Sequence, residues 1–197
     1  MFSKRLIVVT GDNNSGKSQF IRKSLQALSP YNWRHIGDLN FIPNLDKTRI
    51  DLIAPYCTDI IPNFDSQYLN YRLAVMLLDC LSVKPNDVIW IDKPERDLSP
   101  QTQARLLNVL LKLAQERNFK IILETHSDHI VNGLLVQCKK YEENEDTGIS
   151  KEDVVIKYIN RDKGIIDINI EEGGRIRYTP KGFFDQFTLD RKFLMGF

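Results

Sequence analysis

The sequence predicts an α/β protein in which a mostly parallel β-sheet is flanked by helices, and three features of the chain support this prediction. Continuous apolar runs that end in polar residues recur along the chain, as in strands buried on both faces of a parallel sheet. Helical patterns with a wide apolar face separate these runs, which is the alternation expected of βαβ units. A glycine-containing loop, Gly11 to Ser18, joins the first apolar run to the first helix. Near the C-terminus, two further runs flank Lys163-Gly164 and predict a small antiparallel β-hairpin.

The predicted elements follow the chain from an initial strand, Leu6 to Thr10, and a helix that ends near Ser29-Pro30. Residues 31–62 predict one or two short strands and one short helix, because three prolines interrupt their apolar pieces. The other predicted elements are a helix over 66–83, a strand over 88–91 that ends in Asp92, a helix that begins at Ser99-Pro100, a strand over 120–124, a helix from Ser127 to about Cys138, and hairpin strands over 154–159 and 165–170.

The length of 197 residues suits one domain with a small appendage. Residues 1–150 predict the core, with 30–84 as a reduced helical segment, and residues 151–197 predict a hairpin and an aromatic tail packed on that core. Hydrophobic residues at 42% and charged residues at 27% are ordinary for a globular protein.

Charge and cysteine content indicate where the protein works. The 27 basic residues against 26 acidic ones leave a net charge of +1, which does not support nucleic-acid binding. The longest apolar run, residues 73–78, is far too short to span a membrane. The three cysteines are widely separated, and only ten residues precede Gly11, which is too short for a signal peptide. These features together predict a cytoplasmic protein.

The loop from Gly11 to Ser18 carries the pattern G-x-x-x-x-G-K-[ST] between a predicted strand and a predicted helix, as a phosphate-binding loop requires. Its glycines allow backbone angles that turn successive N–H groups towards a phosphate, and the helix adds its positive N-terminal end. Lys17 is expected to reach the β- and γ-phosphates of a nucleotide, and the Ser18 hydroxyl to bind Mg²⁺. The predicted nucleotide-binding residues of this segment are Gly11, Asn13, Asn14, Ser15, Gly16, Lys17, Ser18 and Gln19.

Polar residues at the ends of two later strands are the predicted partners of this loop. Asp92 ends an apolar strand, at the sheet edge where open α/β sheets bind ligands, and is expected to help hold Mg²⁺. His126 follows the next strand and is expected to donate to a γ-phosphate oxygen. Ser127 is predicted to cap the following helix.

These three segments resemble the ABC-type ATPase heads of the RecF, SMC and OLD (overcoming lysogenization defect) families, and are most similar to AAA family ATPases of the OLD-like branch. The resemblance rests on Gly11 to Ser18, on residues 89–101 with their Asp-Lys-Pro-Glu sequence, and on Glu124 to Ser127. It implies two heads that meet face to face with ATP between them, as a homodimer or in a complex with an effector protein. It also implies that His126 is the switch histidine and that Ser66 is the signature serine, which contacts ATP in the opposite head. Relatives of this branch act in anti-phage defence and DNA repair.

The sequence departs from the family pattern at the position of the catalytic glutamate, where it has Lys93. Glu95 is the nearest acidic residue and is the predicted general base, with Asp92 and His126 as the other catalytic candidates. The sequence therefore predicts an ATP-binding switch subunit with slow hydrolysis. Two alternatives stay open: a small-molecule or nucleotide kinase, and an ATP-binding scaffold that does not hydrolyse ATP.

Overall fold

The computed structural model describes residues 3–27, 32–36, 45–61, 64–65, 70–145 and 148–196. Within them, six strands form one sheet in the order β2-β3-β4-β1-β5-β6. The strands are β1 (Leu6–Gly11), β2 (Trp33–Ile36), β3 (Val88–Asp92), β4 (Lys120–Glu124), β5 (Val154–Asn160) and β6 (Gly164–Ile168).

The pairing of these strands confirms the predicted α/β fold with a mostly parallel sheet. β1 to β5 pair in parallel, and β5 and β6 form the predicted antiparallel hairpin. β4 lies between β3 and β1, with Glu124 opposite Val9 on one side and opposite Asp92 on the other. The C-terminal ends of the central strands therefore meet beside the loop that follows β1.

Helices cover both faces of the sheet. α1 buries Ile21 and Leu25 against one face, where Trp90 is 1% exposed. The other face packs against α2, α3, α4 and α5, whose apolar side chains form the larger part of the core. The helices are α1 (Lys17–Gln26), α2 (Lys47–Ile60), α3 (Tyr71–Ser82), α4 (Pro100–Glu116), α5 (Asp128–Glu142) and α6 (Gln186–Leu194).

Side-chain caps define where several helices begin. The hydroxyl of Ser127 accepts a hydrogen bond from the Ile130 N–H at 3.1 Å, which confirms the predicted cap of α5. Ser99 caps α4 in the same way, with Pro100 in its first turn. These two caps fix the chain direction immediately after the polar ends of β3 and β4.

The 31–62 region differs from the sequence prediction, because its helix has 14 residues and contains Pro55. A proline inside a helix removes a backbone hydrogen bond and costs about 3 kcal/mol. The helix continues through it because Ile53, Cys57 and Ile60 are fully buried, and each such side chain contributes about 1.5–3 kcal/mol. Tertiary packing therefore outweighs the local signal of the proline.

The C-terminal segment contains both buried and exposed aromatic residues. Phe183 is 7% exposed and packs against the core, whereas Phe193 in α6 is 83% exposed.

No helix among the described residues is both long enough and apolar enough to cross a membrane.

Candidate functional site

The loop between β1 and α1 has the backbone geometry that the G-x-x-x-x-G-K-S pattern predicts. Gly16 is the residue before α1 and has a left-handed conformation, with φ of 86°. It has no side chain to accept from the first-turn N–H groups, which are therefore available to an anion. Asn14 also has a positive φ, of 58°, so two residues of this loop have a left-handed backbone conformation.

Lys17 lies over this loop rather than pointing into solvent. It is 5% exposed, and its amino group donates to the carbonyl oxygens of Gly11 at 3.3 Å and Asp12 at 2.8 Å. Burial lowers the pKa of Lys17, and the nearby carboxylates of Glu124 and Asp12 act in the opposite direction. A phosphate in the loop would supply additional negative charge beside this amino group.

A buried carboxylate lies at the start of α1, on the side of β4. Ser18 Oγ donates to Glu124 Oε1 at 2.7 Å, and Glu124 is only 4% exposed. Burial raises the pKa of Glu124, and the negative charge of Asp92 raises it further, while the Ser18 hydrogen bond and Lys17 lower it. The surroundings therefore disfavour the charged form of Glu124 even though a lysine is near.

Glu95 and His126 are joined at the ends of β3 and β4. The backbone N–H of His126 donates to Glu95 Oε1 at 2.9 Å. The imidazole of His126 faces the cleft, and partial burial lowers its pKa, as does the positive charge of Lys17. A neutral imidazole near pH 7 retains one N–H with which to donate to a phosphate oxygen.

Lys93 occupies the turn directly after β3, with φ of 49°, and its side chain is exposed and lines the cleft. Its backbone N–H donates to the Glu124 carbonyl at 2.7 Å. Arg72 of α3 holds the same turn, because its guanidinium donates to the carbonyl oxygens of Asp92 at 2.6 Å and Lys93 at 3.3 Å. The turn is thus fixed from both sides, and Lys93 directs a positive charge towards the phosphate loop.

These elements enclose an open cleft of about 630 Å³. Another cavity, of about 580 Å³, lies between α2, α4 and α5 and contains none of the predicted site residues. The residues that line the cleft are Asn13, Asn14, Ser15, Gly16, Lys17, Ser18, Gln19, Lys93, Glu124 and His126.

Unpartnered polar atoms concentrate at this site. Among the described residues, five buried side-chain nitrogen or oxygen atoms have no hydrogen-bond partner. Four of them surround the cleft or the strand ends beside it: Ser15 Oγ, Asp92 Oδ1, Glu95 Oε2 and Glu124 Oε2. Buried polar groups are almost always paired, so this concentration indicates a site for a polar ligand.

The oxygen atoms at the start of α1 fit a magnesium ion. Mg²⁺ prefers oxygen ligands and usually takes one or two carboxylates together with water and phosphate oxygens. Ser18 Oγ and the unpartnered oxygens of Asp92 and Glu124 are of this kind. The described part of the chain contains no group of three or more His, Cys, Asp or Glu residues that could hold a metal unaided. Nucleotide phosphates and water offer further oxygen ligands of the kind that Mg²⁺ takes.

The structure brings most of the predicted site residues together. The loop residues from Asn13 to Gln19 line one cleft with His126, and Asp92 and Glu95 lie at the adjoining strand end. Ser66 falls outside the described residues.

Glu124 was not among the predicted site residues. A charged residue that ends an otherwise apolar strand, just before His126, was the available signal.

Two family models match parts of the chain. Residues 66–132 match the model described as "AAA domain, putative AbiEii toxin, Type IV TA system". Residues 149–192 match the model described as "Protein of unknown function (DUF3696)". The first match makes residues 66–132 similar to an AAA domain, and the phosphate-loop pattern of residues 11–18 lies in the cleft described above.

Solved structures that are similar to this chain include a chain of the complex of archaeal ribosomal stalk protein aP1 and archaeal ribosome recycling factor aABCE1. The identity is 10% and the TM-score 0.47, over 78% of this chain and 35% of that chain. Another is cbiO1 from Clostridium perfringens, part of the ABC transporter complex cbiONQ, with 13% identity and a TM-score of 0.45 over 98% of this chain and 84% of that chain. The present chain thus spans about a third of the length of the first of these. No curated protein matches the sequence.

Proposed function

We propose that the protein binds ATP with Mg²⁺ in this cleft, hydrolyses it slowly, and acts as a nucleotide-dependent switch subunit. The observation that carries the proposal is the group of four unpartnered buried oxygens around a phosphate loop of complete pattern. Such atoms are costly unless a ligand pairs with them, and ATP with Mg²⁺ offers partners of the right kind.

Each group of the site has a role in this proposal. The loop amides and Lys17 bind the β- and γ-phosphates, while Ser18, Asp92 and Glu124 hold Mg²⁺, which would neutralise charge on the phosphates. His126 donates a hydrogen bond to the γ-phosphate.

Glu95 is the proposed general base. It accepts a proton from the attacking water through its unpartnered Oε2. The water oxygen bonds to the γ-phosphorus, and the bond from that phosphorus to the β–γ bridging oxygen breaks, giving ADP and phosphate.

A non-hydrolysing scaffold is the second candidate, and Lys93 is the observation that favours it. The lysine lines the cleft at the position where the ABC-type resemblance implies a catalytic glutamate. An ammonium there stabilises bound phosphate but does not remove a proton from water.

The switch role and its partner belong to the same proposal. The resemblance to the OLD-like branch favours a homodimer or a complex with an effector protein, with a role in phage defence or DNA transactions. Loss of the γ-phosphate would release groups such as His126 and so change the surface offered to that partner. A reducing, cytoplasmic setting accords with three buried cysteines that form no disulfide.

Titration of ATP with Mg²⁺ by calorimetry tests the binding proposal. Lys17→Ala should weaken binding by about a hundredfold, because it removes a charge that contacts phosphate directly. Lys23→Ala is the matched control, since it removes an exposed lysine of the same helix. Equal affinity in wild type and Lys17→Ala would refute the assignment of the phosphate loop.

Phosphate release then separates the two candidate functions. Slow release by wild type that disappears in Glu95→Gln supports hydrolysis with Glu95 as base. Tight binding without release, together with release in Lys93→Glu, supports the scaffold. Transfer of the phosphoryl group to an added sugar or nucleoside would instead identify a kinase.

A further inference from the structure

The side chain of Asp12, inside the phosphate loop, is bonded to the C-terminal hairpin rather than to any group lining the cleft. Its Oδ1 accepts a hydrogen bond from the Tyr158 hydroxyl at 2.7 Å. Its Oδ2 accepts from Asn160 Nδ2 at 3.1 Å and from the backbone N–H of Arg161 at 3.2 Å. One carboxylate therefore uses both oxygens to join two parts of the chain that are almost 150 residues apart in sequence.

The loop backbone is held by the same hairpin. The Asp12 N–H donates to the Ile159 carbonyl at 3.1 Å. The Arg161 guanidinium donates to the Asn13 carbonyl through Nε at 3.0 Å and Nη2 at 2.6 Å. At Gly11, where φ is 139°, a Cβ atom would lie 2.1 Å from the Ile159 oxygen, so only glycine fits where the start of the loop meets β5.

The C-terminal tail packs against Tyr158. Tyr158 is 2% exposed, and the Phe183 ring packs edge-on against it with centroids 5.7 Å apart. A Cβ atom at Gly182 would lie 2.8 Å from the Tyr158 hydroxyl, so the tail also limits where that hydroxyl can go. Burial and the adjacent Asp12 carboxylate raise the pKa of Tyr158 to about 12, which keeps the hydroxyl protonated as a donor.

We propose that Asp12 is a positioning residue that couples nucleotide binding in the loop to the stability with which the C-terminal hairpin and tail pack against that loop. The proposal rests on the proposed ATP-binding function and adds a route by which occupancy of the cleft reaches another surface. Its physical basis is that the loop must hold unfavourable backbone angles to direct its amides at phosphate, and Asp12 holds the loop in that shape.

The coupling acts in both directions. The Lys17 amino group donates to the Asp12 carbonyl, so a phosphate that draws Lys17 away changes the contacts of the residue that bonds Tyr158. By thermodynamic linkage, a hairpin that strengthens ATP binding must itself be stabilised by ATP to the same extent. A purely structural role for Asp12 would stabilise the fold without this reciprocity.

The test compares wild type, Asp12→Ala, Tyr158→Phe and the double variant by calorimetric titration with ATP and Mg²⁺. Tyr158→Phe removes only the hydroxyl and should weaken binding by about three- to tenfold, the size of one hydrogen bond. Asp12→Ala removes three hydrogen bonds and should weaken binding by about tenfold or more. In the Asp12→Ala background, Tyr158→Phe should have no further effect, because the hydroxyl has already lost its partner.

Amide hydrogen exchange supplies the second readout. ATP should slow exchange of residues 158–161 in wild type and do so much less in Asp12→Ala. The matched control is Asp167→Asn, which breaks the Lys157–Asp167 ion pair within the same hairpin but contacts no residue of the loop. It should leave ATP affinity and the ATP effect on exchange unchanged.

The measurements distinguish failure of the proposed coupling from failure of the ATP-binding proposal. If wild type binds ATP but Tyr158→Phe matches it within a factor of two, or if the two substitutions add, the coupling is refuted and the ATP-binding proposal stands. If wild type binds no better than Lys17→Ala, both proposals fall. If Asp12→Ala does not fold, the ATP affinity of Tyr158→Phe and the effect of ATP on amide exchange of residues 158–161 in wild type still test the coupling.

Discussion

Replacing Glu124 by glutamine should make the protein more stable while it impairs ATP turnover. Glu124 is 4% exposed, and its Oε2 atom has no partner. Its raised pKa means that the surroundings as a whole disfavour the charge in the native state, although Lys17 favours it. Glutamine keeps an oxygen for the Ser18 hydroxyl and removes the charge.

The size of the effect follows from the cost of the unpaired atom. Leaving a buried polar group without a partner costs about 1–3 kcal/mol, and the new amide N–H groups cancel part of the gain. A net gain of about 1 kcal/mol corresponds to a rise in melting temperature of about 2–4 °C for a protein of this length.

Thermal unfolding at several pH values is the assay, with Glu116→Gln on the exposed surface of α4 as the control for the same change of charge. Because the pKa of Glu124 is raised in the native state, the unfolded chain ionises first as pH rises. The advantage of Glu124→Gln should therefore appear above the ordinary glutamate pKa of about 4.3, grow until the native pKa is passed, and stay constant beyond it. Phosphate release, where wild type shows it, should fall by about tenfold or more, since a proposed Mg²⁺ ligand is lost.

Two outcomes would contradict this reasoning. A variant less stable than wild type at pH 7 would mean that Lys17 more than compensates the buried charge. Unchanged turnover, in a variant that still binds ATP, would mean that the carboxylate of Glu124 takes no part in the reaction.

Two further predictions concern the packing around the site. Gly11→Ala should lower the free energy of unfolding by about 3 kcal/mol or more, because the added Cβ would lie 2.1 Å from the Ile159 oxygen. In Gly164→Ala no atom lies within 4 Å of the added Cβ, so only the strain of a positive φ of 74° remains, at about 1–2 kcal/mol. The three buried cysteines should resist a thiol reagent at pH 8 in the native state and react fully in denaturant, as followed by the absorbance change of the reagent. The reason is that burial raises the pKa of Cys57 to about 12 and also raises the pKa values of Cys80 and Cys138. Rapid reaction of any of them in the native protein would show that its segment opens readily.

Local patterns were sufficient to predict most of the fold. Strands such as β3 and β4 are short apolar runs that end in an acidic residue, and Ser127 is a residue type that favours a helix start. Two helices are exceptions. α6 lies in a segment for which only an aromatic tail was predicted, and α2 continues through Pro55 because its buried side chains lie on one face and face the core. The sequence alone does not show how much apolar surface that face will cover.

The candidate site was less predictable, because its geometry depends on strand order. The sequence predicted Asp92 as the carboxylate beside the phosphate loop, and the strand order adds a second one. Because β4 lies between β3 and β1, Glu124 bonds Ser18 while Asp92 lies one strand further away. The contact of Asp12 with Tyr158 joins positions that share no local pattern. Contacts of this kind depend on which distant strands become neighbours, and residue spacing does not encode that.

The position of β1 in the sheet also has a consequence for how the protein is made. β1 precedes the other described strands in the chain, yet its two neighbours in the sheet are β4 and β5, the fourth and fifth of the described strands. At about 5–20 residues per second, an interval of about 7–30 s separates the synthesis of residue 11 from that of residue 160. During that time the apolar strand β1 lacks a paired neighbour for part of the interval, and the phosphate loop lacks its contacts with β5. The complete loop, with its contacts to Tyr158 and Arg161, therefore forms only after β5 has been synthesised.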